Sequence, residues 1–189
     1  MTDFNMPPPG AGFDARAAWL LPRLMRDLAL PLVIHPAAII GNLGGESGLL
    51  AIQEKHPLAG RGGFGWEQAT ADRRRNFEAF CAAHGWATTN DEANYRFLLN
   101  ELQTTERHAL DQLVKTTELR AATYTFCVYF ERPADPDGTL PSRLKWAGIA
   151  LAAYHAAAPA AVSPAVSPAP ARGFFAAVDG IIADIREKL

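Results

Sequence analysis

The residues 41–48, GNLGGESG, contain a carboxyl group whose setting could support acid chemistry, Glu46. A helical pattern running from Ala37 to about Gly44 breaks there into glycine-rich sequence. A carboxylate at such a break can lie at the mouth of a cleft. Apolar neighbours such as Leu43 and Leu49 disfavour its charged form and raise its pKa. A carboxyl that keeps its proton near neutral pH can protonate a leaving-group oxygen. Taken alone the signal is weak, because a Glu near a helix end is ordinarily a solvated surface residue. Other chemistries find less support. His35, His56, His84, His108 and His155 show no triad or ligand spacing, and no metal-ligand spacing exists. Cys81 and Cys127 each sit in an apolar helical stretch and read as buried free thiols, with a disulfide as the alternative.

The elements that must position Glu46 are helical. Asp14 is a plausible N-cap for a first helix carrying Trp19, Leu20, Leu24 and Leu28 at helical spacing, with Pro22 near its start or kinking it and Pro31 ending it. Pro36 suits the first turn of the next helix. Residues 47–69 show no sustained period. Gly60, Gly62, Gly63 and Gly65 crowd together there, which indicates a shaped loop or a short irregular hairpin. Helical patterns return over 72–83, 92–100, 104–115 and 118–130, and over 142–157 with Ser142 as cap. Strand signals are few.

This pattern divides the chain into a Pro/Gly-rich flexible arm (1–12), a mainly α domain (13–157), a Pro/Ala/Ser linker (158–172) and a tail (173–189). The tail places Phe174, Val178, Ile181, Ile182, Ile185 and Leu189 on one stripe, opposite Asp179, Asp184, Arg186 and Lys188. Such a short amphipathic helix needs a surface to bury its stripe, and its mixed charges favour a protein partner over lipid.

Across its 189 residues the chain is 49% hydrophobic and carries a net charge of -2. It can bury a core without staples, and its charge gives no support for a nucleic-acid partner. No stretch approaches ~18 uninterrupted apolar residues, so no membrane span is expected. The N-terminus, MTDFNMPPPGAG, lacks the pattern of a signal peptide, so the expectation is synthesis in the cytoplasm.

The ordered set of motifs is far more specific than any one of them. GNLGGESGL is followed by GGFGWEQ (62–68), RRRNFEAF (73–80), NYRFLLNEL (94–102) and YFERP (129–133). With the lead-in LLPRLMRDLAL, the chain over roughly residues 14–155 resembles the phage tail-type lysozyme domain, a relative of goose-type lysozymes and lytic transglycosylases. The resemblance implies a lysozyme-like helical domain with a glycan groove and no cofactor. It makes Glu46 the general acid and Ser47 a support of the turn beside the substrate. Gln68, with Gly65, matches a Gly-x-x-Gln pattern in the groove. The family's aromatic after that Gln is replaced by Ala69, with Trp66 two residues before it. Tyr95 matches an aromatic or apolar position facing the groove. Trp66 and Tyr95 suit core positions as well as sugar contacts. The arginines at 73–75 read as a solvated helix start with one available to a carboxylate, and Glu131 and Arg132 as a helix end.

A two-carboxylate mechanism needs a second acid; of Glu54, Glu67 and Asp72, Glu67 is favoured as a water-activating base. The activity implied is a muramidase acting on peptidoglycan glycan strands, by hydrolysis or by intramolecular transglycosylation. It would act in the periplasm or on the wall after delivery by a phage or a secretion machine. The competing reading is a non-catalytic wall-binding or structural module. The low net charge gives no strong attraction to an anionic wall, so binding would rest on the shape of the groove.

Overall fold

A computed structural model describes residues 4–57 and 60–157; the expected linker and tail helix lie outside the described residues. Among them are seven α-helices: α1 (Gly12–Asp27), α2 (Ile34–Ser47), α3 (Ala71–His84), α4 (Asp91–Gln103), α5 (Arg107–Leu113), α6 (Leu119–Phe126) and α7 (Pro136–Ala157). A π-helical turn, Cys127–Glu131, prolongs α6. No strand occurs among the described residues. The irregular hairpin expected in the glycine-rich stretch appears as two antiparallel bridges, Gln53 with Phe64 and Phe64 with Ala69. The mainly α reading therefore holds.

The centre of the domain is α2. From Ile34 to Gly45 it contains no Asp, Glu, Lys or Arg, and residues from His35 to Gly44 are buried. A helix apolar on all sides belongs in the interior, and α2 packs against α1, α6 and α7. Its glycines explain how closely α7 approaches. A Cβ on Gly41 would stand 2.5 Å from Ala147 Cβ and 2.7 Å from the Ala147 backbone, and one on Gly44 would stand 2.9 Å from Trp146. A second apolar cluster, Phe77, Cys81, Ala93 and Phe97, joins α3 to α4.

Several local expectations change. The helix does not break at Gly44 but runs on through Ser47, so Glu46 lies in its last turn and Gly48 (φ 67°) ends it. The glycines of the motif thus serve helix packing rather than a loop. Asp14 falls in the first turn of α1 instead of capping it, because the helix begins at Gly12. Likewise α7 begins at Pro136, which leaves Ser142 inside it. Residues 4–12 are not a loose arm: Phe4 packs edge-on to Trp19 at 4.8 Å, and Arg16 Nη1 donates to the Pro7 carbonyl at 2.7 Å.

Candidate active site

Glu46 is held by a residue almost a hundred positions away. Its Oε1 accepts from Arg143 Nη2 on α7, in an ion pair whose side chains are 5% (Arg143) and 23% (Glu46) exposed. Arg143 is fixed on its other sides. Its Nη1 donates to Asn42 Oδ1 at 3.1 Å and its Nε to Thr139 Oγ1 at 3.3 Å. Asn42 in turn donates to the carbonyls of Ala38 (2.9 Å) and Thr123 (3.1 Å), which ties α2 to α6. The absence of a side chain at Gly45 lets the arginine through, since a Cβ there would meet Arg143 Cγ at 3.1 Å. The contact that governs Glu46 is therefore a guanidinium, not the leucines expected from its neighbours in sequence.

The turn across from the end of α2 is joined to it directly. Ser47 Oγ donates to the Trp66 carbonyl at 2.8 Å. Ser47 is buried, so its side chain is a strut between helix and loop, and the substrate contact expected of it has no free hydroxyl to use. Trp66 is 1% exposed; its backbone N–H donates to Asn94 Oδ1 (3.0 Å) and its indole N–H to Asp91 Oδ1 (3.2 Å). With both faces covered it is a core residue and cannot be a sugar platform. Tyr95 is corrected in the same way: it is 2% exposed, and its hydroxyl donates to Asp27 Oδ2 at 2.5 Å. Gln68 keeps part of its expected availability. Its Nε2 donates to the Ile52 (3.0 Å) and Gly65 (2.9 Å) carbonyls, which leaves Oε1 to offer. Gly65 is required where it stands, at φ 81° with Asn94 Oδ1 2.7 Å from any added Cβ.

Glu67 enters a buried charge cluster instead of facing water. Its Oε2 accepts from Arg73 Nη2 at 2.7 Å, and the same arginine holds Glu101 through two bonds of 2.8 Å. The Arg73 guanidinium also lies over the Phe130 ring at 4.2 Å. All three arginines of the run pair with carboxylates, Arg73 with Glu67 and Glu101, Arg74 with Glu78 and Arg75 with Asp72, and Arg74 is buried where a solvated helix start was expected. Burial pushes Glu67 well above the usual carboxylate range; Arg73 opposes this, while Glu101 and Glu131 add to it. Buried, with Oε2 bonded to Arg73, Glu67 does not face the solvent from which a water would be activated, so that role does not fit it.

Glu131, the last residue of the π-helical turn, reads from the sequence as a helix end with no part in the chemistry. Burial pushes its pKa up to about 8, and the Glu46 carboxylate is the next cause; Arg73 and Arg143 pull the other way. Its Oε1 is buried without a hydrogen-bond partner, as is Glu67 Oε1. The sequence expectation that Glu131 and Arg132 close a helix is met by Arg132, which takes a left-handed conformation and pairs with Glu106 at 2.8 Å. A hollow of about 590 Å³ lined by residues such as Glu54, Arg61, Thr70 and Arg74 does not include Glu46. The carboxyls gather elsewhere: Glu46 of α2 pairs with Arg143 of α7, and Glu67 of the 65–68 turn and Glu101 of α4 pair with Arg73 of α3, with Glu131 of the π-helical turn among the charges that act on them.

A mainly helical domain that gathers four carboxyl groups around two arginines, with Glu67 and Glu131 raised by burial, has the ingredients of an acid–base site. The chain belongs to the phage tail lysozyme family, whose model matches residues 35–154 and so covers every residue of this cluster. Membership implies peptidoglycan-degrading muramidase activity. Comparison with curated proteins and with solved structures found no match.

Proposed function

We propose that the chain cleaves the β-1,4 bond between N-acetylmuramic acid and N-acetylglucosamine in peptidoglycan, with Glu46 as the general acid. The observation that carries this reading is the position of Glu46: in the last turn of α2, part-exposed, and fixed by Arg143. A reacting carboxyl needs access on one side and a rigid hold on the other. The side-chain Oε1 of Gln68 is free to accept from a sugar hydroxyl or from the attacking hydroxyl in a glycan groove beside the 65–68 turn. Delivery by a phage particle or a secretion machine would bring the enzyme to the wall.

The competing reading treats Glu46–Arg143 as a structural ion pair in a wall-binding module. Turbidity clearing of permeabilised cells by wild type and Glu46→Gln separates the two. General acid assistance contributes ~10²–10⁴-fold, so the variant should lose at least ~10²-fold with an unchanged circular dichroism spectrum. Near-native clearing by the folded variant would reject Glu46. Mass spectrometry of the released muropeptides then assigns the reaction: reducing ends for a hydrolase, anhydro sugars for a transglycosylase.

A further inference from the structure

We propose that Asn42 is a positioning residue for the reaction, acting on the carboxyl of Glu46 through the fork of Arg143. The proposal rests on the reading of Glu46 as general acid and names what sets its orientation. Asn42 and Glu46 stand one turn apart on α2, so their side chains lie on one face of the helix. Arg143 crosses that face and holds both. Its Nη1 donates to Asn42 Oδ1 at 3.1 Å and its Nη2 to Glu46 Oε1. Its Nε donates to Thr139 Oγ1 at 3.3 Å, so each guanidinium nitrogen has a partner of its own.

The bonds of Asn42 give its amide a fixed sense. Nδ2 donates to the carbonyls of Ala38 (2.9 Å) and Thr123 (3.1 Å). A carbonyl only accepts, so these bonds turn Nδ2 toward the backbone and leave Oδ1 to face the arginine. Neither carbonyl depends on the amide. The Ala38 carbonyl lies inside α2, where the N–H one turn on is its helical donor, and the Thr123 carbonyl accepts from the Cys127 N–H. The backbone is satisfied without Asn42; what the amide adds is an oriented acceptor for Arg143.

This acceptor matters because the two ends of the fork differ in freedom. Asn42 is 0% exposed, whereas the Glu46 side chain is 23% exposed and stands in the last turn of its helix. A part-exposed carboxyl there can change rotamer. A planar guanidinium pinned at Nη1 and Nε presents Nη2 in one direction, which gives the carboxyl one position. Through the Thr123 carbonyl that position is referred to α6 as well as to α2 and α7. Asn42 touches no reacting atom. Alanine in its place leaves the Glu46–Arg143 pair intact and leaves Nη1 only the backbone carbonyl of residue 42, at 3.4 Å. The fork then loses one of its two pins while the charge beside Glu46 stays.

The test is a double-mutant cycle on kcat and KM with purified peptidoglycan, using the full chain as wild type, Asn42→Ala, Arg143→Lys and the two combined. Circular dichroism at the assay temperature establishes that each is folded. A misplaced reacting group costs up to ~10²-fold, so Asn42→Ala should lower kcat by ~10–100-fold while KM stays within about twofold of wild type. Lysine keeps a positive charge for Glu46 but has no fork to hold Asn42 and Thr139 at the same time. In the Arg143→Lys background Asn42→Ala should therefore change kcat by less than about twofold. Equal kcat losses in the two backgrounds overturn the proposal, and so does a loss confined to KM or a kcat near wild type for Asn42→Ala. If Asn42→Ala does not fold, Thr139→Val takes its place, since it removes the Nε acceptor on α7 without touching α2. It should show the same kcat loss and the same coupling to Arg143, and its absence overturns the proposal. Near-native clearing by Glu46→Gln would instead overturn the reading of Glu46, whereas an inactive Glu46→Gln with an additive cycle overturns the positioning role alone.

Discussion

Replacing Glu131 by Gln should stabilise the folded chain, and by an amount that grows with pH. The unfolded chain releases the Glu131 proton near ~4.3, whereas the folded chain keeps it to about 8. Between those values the native state binds more protons than the unfolded state, so stability falls as pH rises through the window and levels off above it. Each unit of difference is worth ~1.4 kcal/mol, which sets an upper bound of ~5 kcal/mol over the window. Glu131 is only part-buried as a whole residue, so water shares the penalty and ~2–3 kcal/mol is the reasonable expectation. Gln cannot ionise and should not show this loss. Urea unfolding at pH 4.5 and pH 8 should give nearly equal stabilities for the two proteins at the lower pH, and a more stable variant at the higher. In thermal melts the gain corresponds to ~5–10 °C at pH 8. The difference between the two proteins is the diagnostic quantity, since Glu67 is raised as well and contributes to the wild-type slope with the same sign. A difference that stays constant from pH 4.5 to 8 would refute the reasoning.

Two substitutions test how the site is held. Arg143→Met removes the partner of Glu46 and of Asn42 Oδ1 while roughly preserving volume, and breaking one side of a buried pair costs ~3–5 kcal/mol. With Glu46 23% exposed, a loss of ~2–3 kcal/mol in urea unfolding is expected, and a loss below ~0.5 kcal/mol would show that the bracket around Glu46 is not rigid. Gly41→Ala drives a methyl into the Ala147 backbone at 2.7 Å, so it should destabilise by ~1–3 kcal/mol despite the better helix propensity of Ala; an unchanged melting temperature would mean that α2 and α7 are not locked at that crossing.

The helical class was legible because it depends on local information, the apolar periodicity of each helix, and Glu46 was singled out by its motif alone. What holds Glu46 was not. Arg143 sits in a stretch, SRLKW, that reads as an ordinary helix face, and only the crossing of α7 over α2 brings it to Glu46. The same crossing overturns the reading of the glycines. From sequence they suggested a loop; a glycine costs a helix interior ~0.5–1 kcal/mol relative to alanine. Here Gly41, Gly44 and Gly45 stay helical because α7 occupies the space where their side chains would be. Trp66 and Tyr95 failed for a related reason. Their type fits a sugar platform or a core equally well, and burial is decided by α4 and the N-terminal segment, whose approach no local pattern records. Glu131 was legible as a helix end, which it is, but the orientation of its carboxyl depends on the π-helical turn before it.

The backbone around these carboxyls shows a common device. Glu67 is followed by Gln68 at φ 48°, Glu131 by Arg132 at φ 53°, and the helix bearing Glu46 ends in Gly48 and Leu49 at φ 67° and 62°. Left-handed conformations cost a non-glycine residue roughly 1–2 kcal/mol each, so three of them beside three acidic groups require compensation from tertiary contacts. The compensation is visible. The Leu49 carbonyl accepts from the buried Arg16 at 2.7 Å, the Gln68 amide bonds two carbonyls, and Arg132 is clamped by Glu106. Each left-handed residue turns the chain away soon after the carboxyl it follows. A continuing helix would have carried further backbone past the carboxyls; the abrupt turn leaves Glu46 at the end of an element, held on one side by Arg143 and part-exposed, while Glu67 stays buried against Arg73. Backbone strain of this kind persists where the surroundings over-determine it. Of the left-handed non-glycine residues among the described ones, Leu49, Gln68 and Arg132 stand close behind Glu46, Glu67 and Glu131, while Ala29 and Ala71 follow Leu28 and Thr70, so the device is shared by these three turns and is not confined to them.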